Sequence, residues 1–85
     1  MNVFHTKRFR KDYQKLAKDL QEKIDEKLAI FITNSHHPSL RIKKLEGREN
    51  IREGRISKNY RFTFSILRDT FILRRIGVHN ILKNP

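Results

Sequence analysis

Strict alternation of apolar and polar residues over positions 60–66 is the feature that most constrains this fold. The alternation sets an apolar series against a polar one, namely Tyr60, Phe62, Phe64 and Ile66 against Arg61, Thr63 and Ser65. A period of two places successive side chains on opposite faces of a β-strand. The segment therefore predicts a strand with one aromatic face, which another layer must cover, and one polar, cationic face.

Two helical stripes precede this strand and can supply the covering layer. Apolar residues recur at helical spacing in two groups, Phe9, Tyr13, Leu16 and Leu20, then Ile24, Leu28, Phe31 and Ile32. Thr6 offers an N-cap oxygen, and Asp19 followed by Glu22 is typical of a second capping signal. We predict two tightly joined helices, over residues 6–18 and 20–34, with a single bent helix as the alternative.

The helices are predicted to stop at residues 34–38, which contain Asn34 and Ser35 and end in Pro38. A basic linker follows over residues 40–47. Further strands are predicted over residues 2–5, 50–57 and 70–78, with turns at residues 58–59 and 68–69.

These elements predict an α+β fold of order β-α-α-β-β-β in one domain spanning residues 1–85. The last three strands would form an antiparallel meander packed against the helical hairpin. The first strand would lie at the side or pair with a later strand. Gly77 is predicted to mark a bulge or a close backbone approach.

The charge balance is strongly basic. Lys and Arg number 20 against 9 Asp and Glu, a formal net charge of +11. Such a field attracts polyanions, so nucleic acid is the first candidate partner, and a membrane surface or an acidic protein comes next. A surface tuned only for solubility is the alternative.

Several chemistries are disfavoured by composition. The chain has no Cys, which excludes disulfides, thiolate metal sites and Cys nucleophiles. The four His show no metal-ligand spacing, so we expect neither a metal nor a cofactor. No apolar run suits a membrane span, and the N-terminal residues lack the apolar core of a signal peptide. We expect a cytoplasmic protein.

Short motifs along the chain carry a family resemblance. They are His37-Pro38, Lys44-Leu45-Glu46-Gly47, Arg55-Ile56, Asn59-Tyr60-Arg61 and Gly77-Val78-His79. In this order and spacing they resemble the RelE/ParE superfamily of type II toxins, over nearly the whole chain. The resemblance implies a ribosome-associated endoribonuclease that cuts mRNA and is held inactive by an antitoxin. It also implies a toxin that is monomeric alone and joins a hetero-oligomer with its antitoxin.

The resemblance and the side-chain chemistry together nominate site residues. Arg61 falls where RelE-like toxins place a phosphate-contacting arginine, and His79 falls where the family carries a late Arg or His. With Arg55, whose guanidinium suits phosphate oxygens, these form the predicted catalytic set. The predicted RNA-binding set consists of His37, where the YafQ-like branch has a histidine, and of Arg41, Lys43, Lys44, Arg52, Arg74 and Lys83.

The chain also departs from the YafQ-like pattern. Arg55 stands where such toxins have a second His, Asn59 where they have an Asp, and Lys83 in place of the late aromatic residue. The general base and the base-stacking group are thus left unassigned. His79 can act as acid or as base near neutral pH, and we favour the acid.

Two other functions remain open from the sequence. A gyrase-poisoning toxin of the ParE type shares the fold and acts through protein contacts. A non-catalytic, basic RNA-binding module would also account for the charge and for the missing late aromatic residue.

Overall fold

The computed structural model describes residues 2–85 and contains two α-helices and a five-stranded sheet. In chain order the elements are β1 (Asn2–His5), α1 (Lys7–Gln14), α2 (Lys18–Thr33), a 3₁₀ helix (Pro38–Leu40), β2 (Lys43–Lys44), β3 (Arg52–Arg55), β4 (Tyr60–Leu67), β5 (Thr70–Val78) and a second 3₁₀ helix (His79–Lys83).

The sheet has the strand order β1-β5-β4-β3-β2. Strands β3, β4 and β5 form the predicted antiparallel meander, and β1 pairs in parallel with β5. The predicted α+β class is confirmed, and the sheet is mixed because of β1.

The predicted element order lacked one strand. Within the segment predicted as a basic linker, Lys43 and Lys44 form β2, which pairs antiparallel with β3. The observed order is therefore β-α-α-β-β-β-β. A strand of two residues has no readable period, and it forms because a turn closed by the Leu45 N–H to Ile51 O bond (3.0 Å) returns the chain to the β3 edge.

The two predicted helices are confirmed, but only the first predicted cap is correct. Thr6 caps α1 by accepting a hydrogen bond from Phe9 N–H at 3.2 Å. The N-cap of α2 is Ala17, which has no capping side chain. Asp19 lies inside the first turn of α2 and accepts from Leu20 N–H instead, so the second capping signal was wrong.

The core centres on an aromatic cluster between α2 and the sheet. The Phe31 ring lies 4.4–5.2 Å, centroid to centroid, from the rings of Phe62, Phe64 and Phe71. The predicted aromatic face of β4 is therefore the one that the helices cover. Ile66 extends past this cover and is 40% exposed.

A bulge interrupts the pairing of β4 with β5. Thr63 pairs with Arg75 and Phe64 with Leu73, so Arg74 is the extra residue. Next to the bulge, Asp12 of α1 receives hydrogen bonds from Arg75 Nε (2.6 Å) and from Ile76 N–H (3.1 Å). Asp12 thereby provides a hydrogen-bond acceptor for the backbone N–H of Ile76, next to the bulge.

Gly77 marks a close approach, as predicted, and the bulge lies three residues earlier. A Cβ at Gly77 would stand 2.9 Å from the side chain of Ile81 in the second 3₁₀ helix. None of the helices in residues 2–85 has the length and apolar character required to cross a bilayer.

Candidate active site

A cationic cleft of about 280 Å³ opens on the sheet face that the helices leave uncovered. Six side chains line it: Arg41, Lys43, Glu53, Arg55, Arg61 and His79. Arg61 neighbours Phe62 along β4, and Phe62 points to the Phe31 ring of α2. Because strand side chains alternate, Arg61 projects to the opposite side of the sheet. We call this site the cationic cleft.

Strand register brings the lining residues together. Lys43 pairs with Glu53 across β2 and β3, and Arg55 pairs with Arg61 across β3 and β4. On the other side, Arg61 pairs with Gly77 of β5, and the missing side chain of Gly77 makes room for Ile81 of the second 3₁₀ helix. His79 follows β5 directly and completes the rim.

Arg41 reaches the cleft from a strained backbone position. It follows the first 3₁₀ helix in the left-handed region, with φ of 47° and ψ of 49°. Buried Leu40 anchors the preceding turn, and Arg41 N–H donates to Pro38 O at 3.2 Å. Strain of this kind persists where the surroundings over-determine the backbone, and it is often found at functional sites.

The Arg61 guanidinium also organises the loop between β3 and β4. Its Nη1 donates to the carbonyl oxygens of Ser57 (3.0 Å), Lys58 (3.2 Å) and Tyr60 (3.2 Å). These bonds fix the side chain in one orientation. A guanidinium held in this way is preorganised for a phosphate group.

Glu53 is the functional candidate that the sequence analysis missed. Its side chain is only 6% exposed, and Oε1 lies 3.3 Å from Lys43 Nζ. Oε2 is buried without a hydrogen-bond partner, as are Arg55 Nε and Thr63 Oγ1. The signal was present, because Glu53 and Arg55 are two residues apart in a predicted strand and must share a face.

The structure gathers five of the ten predicted site residues, Arg41, Lys43, Arg55, Arg61 and His79. Lys44 and Arg52 line a separate groove, which lies between the 44–52 segment and Ile66 of β4. They lie there because they alternate with Lys43 and Glu53 along β2 and β3.

The other three predicted residues also lie outside the cleft. His37 caps the first 3₁₀ helix, where Nδ1 accepts from Ser39 N–H at 3.1 Å. Arg74 donates from Nε to Pro85 O at 3.0 Å. Lys83 is exposed in the second 3₁₀ helix, and its carbonyl accepts from Arg48.

Comparison with known proteins depends on structure, since no family model and no curated protein matches the chain. YafQ from E. coli strain BL21(DE3) superposes with a TM-score of 0.79 at 14% identity, covering 95% of this chain and 96% of that chain. The YoeB/ParE toxin from Agrobacterium tumefaciens gives 0.77 at 18% identity, covering 93% and 99%. The RelB-RelE antitoxin-toxin complex from Methanococcus jannaschii gives 0.72 at 25% identity, covering 96% of each.

This chain has the RelE/ParE toxin fold. The resemblance read from the sequence motifs is thereby confirmed at the level of the fold. Each of these matches covers more than nine-tenths of both chains, so the likeness extends over nearly the whole fold.

On this fold, the cationic cleft combines two kinds of chemistry. Three guanidinium groups and one ammonium group face a single carboxylate, so the cleft attracts phosphate. The imidazole of His79 lies at its exposed rim, and an imidazole is a common general acid or base in proteins. Phosphate binding next to a proton-exchanging group is the combination that transesterification at phosphorus requires.

Proposed function

We propose that this protein is the toxin of a type II toxin–antitoxin system and that it cleaves mRNA bound to the ribosome in the cytoplasm. The observation that carries the proposal is the convergence of His79 with Arg55 and Arg61 in the cationic cleft. The RelE/ParE toxin fold supports it, since the sequence motifs already resembled the RelE- and YafQ-like nucleases.

The proposed reaction is attack of a ribose 2′-OH on the adjacent phosphate. Arg55 and Arg61 would hold the non-bridging oxygens and stabilise the charge that builds up on phosphorus. His79 would protonate the leaving 5′-oxygen. The products would be a 2′,3′-cyclic phosphate and a 5′-hydroxyl end.

The proposed partner is an antitoxin with an acidic, amphipathic segment. A formal charge of +11 favours fast capture of an acidic protein. The neighbour from Methanococcus jannaschii is itself an antitoxin-toxin complex, which supports the same kind of partner here. An antitoxin that covers the cationic cleft would block RNA directly.

The test is induced expression of the wild type and of His79→Ala, scored by growth and by mapping 5′ ends of cellular mRNA. We expect growth arrest and new ends within translated codons for the wild type. Loss of the general acid should reduce cleavage by about 10²–10⁴-fold. His36→Ala is the matched control, because His36 is exposed and lies outside the cationic cleft.

Each other outcome points to a different function. Arrest with intact mRNA in both strains would reject the nuclease and favour poisoning of gyrase. Absence of arrest in either strain would favour the non-catalytic RNA-binding module.

A further inference from the structure

The cationic cleft contains one buried carboxylate whose position is not explained by packing alone. The Glu53 residue is 5% exposed and lies at the centre of the β2–β3–β4 pairing, opposite Lys43 on one side and Thr63 on the other. Lys43 engages Oε1, but Oε2 has no partner. Burying a carboxylate with one free oxygen is costly, so a role in stability accounts poorly for it.

Chemistry restricts which groups in the cleft can accept a proton. Arg41, Lys43, Arg55 and Arg61 are donors without acceptor capacity in their charged forms. Among the six lining side chains, only Glu53 and His79 can take up a proton. With His79 assigned as the donor, Glu53 is the remaining acceptor in this cleft.

The partner of Glu53 is able to move away. The Lys43 side chain is 70% exposed and belongs to β2, a two-residue strand at the edge of the sheet. A phosphate oxygen entering the cleft competes for the Lys43 ammonium. Movement of the ammonium to the phosphate would uncover Glu53 Oε1 at the moment when substrate arrives.

We propose that Glu53 is the group that accepts the proton of the attacking 2′-hydroxyl, with His79 as the donor to the leaving oxygen. The inference rests on the proposed nuclease function and supplies the general base that the sequence motifs left unassigned. In the step, the O–H bond of the 2′-hydroxyl breaks and its proton passes to a Glu53 carboxylate oxygen. The 2′-oxygen bonds to phosphorus, the bond from phosphorus to the 5′-oxygen breaks, and the 5′-oxygen takes the His79 proton.

Charged groups face Glu53 from every element packed around it. Lys43 approaches from β2, Arg55 from its own strand and Arg61 from β4, and Arg41 and His79 complete the rim. A carboxylate is the form of this side chain that accepts a proton. The same cations hold the substrate phosphate beside it.

The test compares two variants with the wild type in single-turnover cleavage of an mRNA on purified ribosomes, at a site mapped for the wild type. Glu53→Gln keeps the size of the side chain and a hydrogen-bond acceptor for Lys43. It should lower the rate by about 10²–10⁴-fold and abolish the rise of rate with pH on the acidic side. Lys43→Gln, the matched control, should weaken binding and retain that rise.

A second substrate distinguishes the role of general base from that of general acid. An mRNA with sulfur in place of the bridging 5′-oxygen at the mapped site has a leaving group that needs no proton. It should restore the rate of His79→Ala to near that of the wild type and leave Glu53→Gln slow. Circular dichroism and a thermal melt check that each variant is folded.

The outcomes distinguish a failure of the Glu53 assignment from a failure of the proposed nuclease function. No cleavage by the wild type on any programmed ribosome would overturn the nuclease proposal and the inference together. An active wild type with Glu53→Gln within threefold of it, or rescued by the sulfur substrate, would overturn the role of Glu53 alone. A Lys43→Gln variant with the same loss and the same pH profile as Glu53→Gln would assign Glu53 to positioning Lys43.

Discussion

Gly54 lies opposite Phe62 in the β3–β4 ladder, on the face that the helices cover. A Cβ at this position would stand 2.4 Å from the Phe62 ring and 2.8 Å from Ile42 Cδ1. Both neighbours are held by surrounding packing, and Phe62 is fully buried. The absence of a side chain at Gly54 therefore lets the aromatic cluster close beneath the cationic cleft, between Glu53 and Arg55.

We predict that Gly54→Ala lowers the free energy of unfolding by about 1–3 kcal/mol, because overpacking displaces Phe62. Gly77→Ala is the control, since its Cβ would meet only one methyl group, at 2.9 Å, and should cost less. Urea unfolding of the three proteins measures the difference. Equal losses of unfolding free energy in the two variants would contradict this, because they would show that the Phe62 ring shifts to accommodate the added methyl group.

At the scale of elements, the helical hairpin is linked by a side-chain hydrogen bond. Tyr13 of α1 donates its hydroxyl to Asp25 Oδ1 of α2 at 2.8 Å. This bond raises the pKa of Tyr13 above its ordinary value, with smaller contributions from desolvation and from the charge of Asp25. The neutral phenol is therefore the form that joins the helices.

The raised pKa fixes the sign of a pH effect on stability. The contribution of the Tyr13–Asp25 bond is complete below the ordinary tyrosine pKa of about 10 and is lost as pH rises through the folded-state value. We predict that Tyr13→Phe destabilises the protein at neutral pH and that the gap to the wild type narrows in alkaline solution. Unfolding measured at both pH values checks this, and a gap independent of pH would contradict it.

Sequence reasoning predicted long, periodic elements well and short or non-local ones poorly. The alternation over residues 60–66 and the two apolar stripes correctly predicted β4, α1 and α2. The two-residue strand β2 and the bulge at Arg74 were missed, because both depend on pairing with a distant strand.

The same division applies to the candidate site. Arg55, Arg61 and His79 were nominated from motifs, and the fold brings them into one cleft. Glu53 was overlooked although its spacing from Arg55 already placed both on one face of the strand. Its burial and its pairing with Lys43 arise only from strand register. Lys44 and Arg52 were grouped with the cleft because composition alone does not separate the two faces of a strand.

Across the whole molecule, the cationic side chains are distributed between the cleft and the helical layer. The cationic cleft concentrates four cations around one carboxylate, whereas Lys23 and other helix cations are exposed on another layer. If RNA binds in the cleft, its affinity depends on counterion release at the contacted phosphates.

We predict that RNA affinity falls steeply with salt and that Arg55→Gln or Arg41→Gln lowers the log–log salt slope by about 1 unit. Lys23→Gln, on the exposed face of α2, should leave the slope unchanged. Titration of a fluorescent single-stranded RNA at several salt concentrations measures it. If Lys23→Gln lowered the salt slope as much as the cleft variants do, RNA would be attracted by the overall positive charge and not bound at a defined site.

Cleavage of RNA in the cationic cleft, with His79 as the general acid, can be measured directly on purified components. Purified wild-type protein, His79→Ala and His36→Ala should be added to ribosomes carrying a defined mRNA, and the fragments read for their ends. We expect cleavage within a translated codon by the wild type and by His36→Ala, with 2′,3′-cyclic phosphate and 5′-hydroxyl ends, and almost none by His79→Ala. Intact mRNA with the wild type, or equal cleavage by His79→Ala, would contradict it.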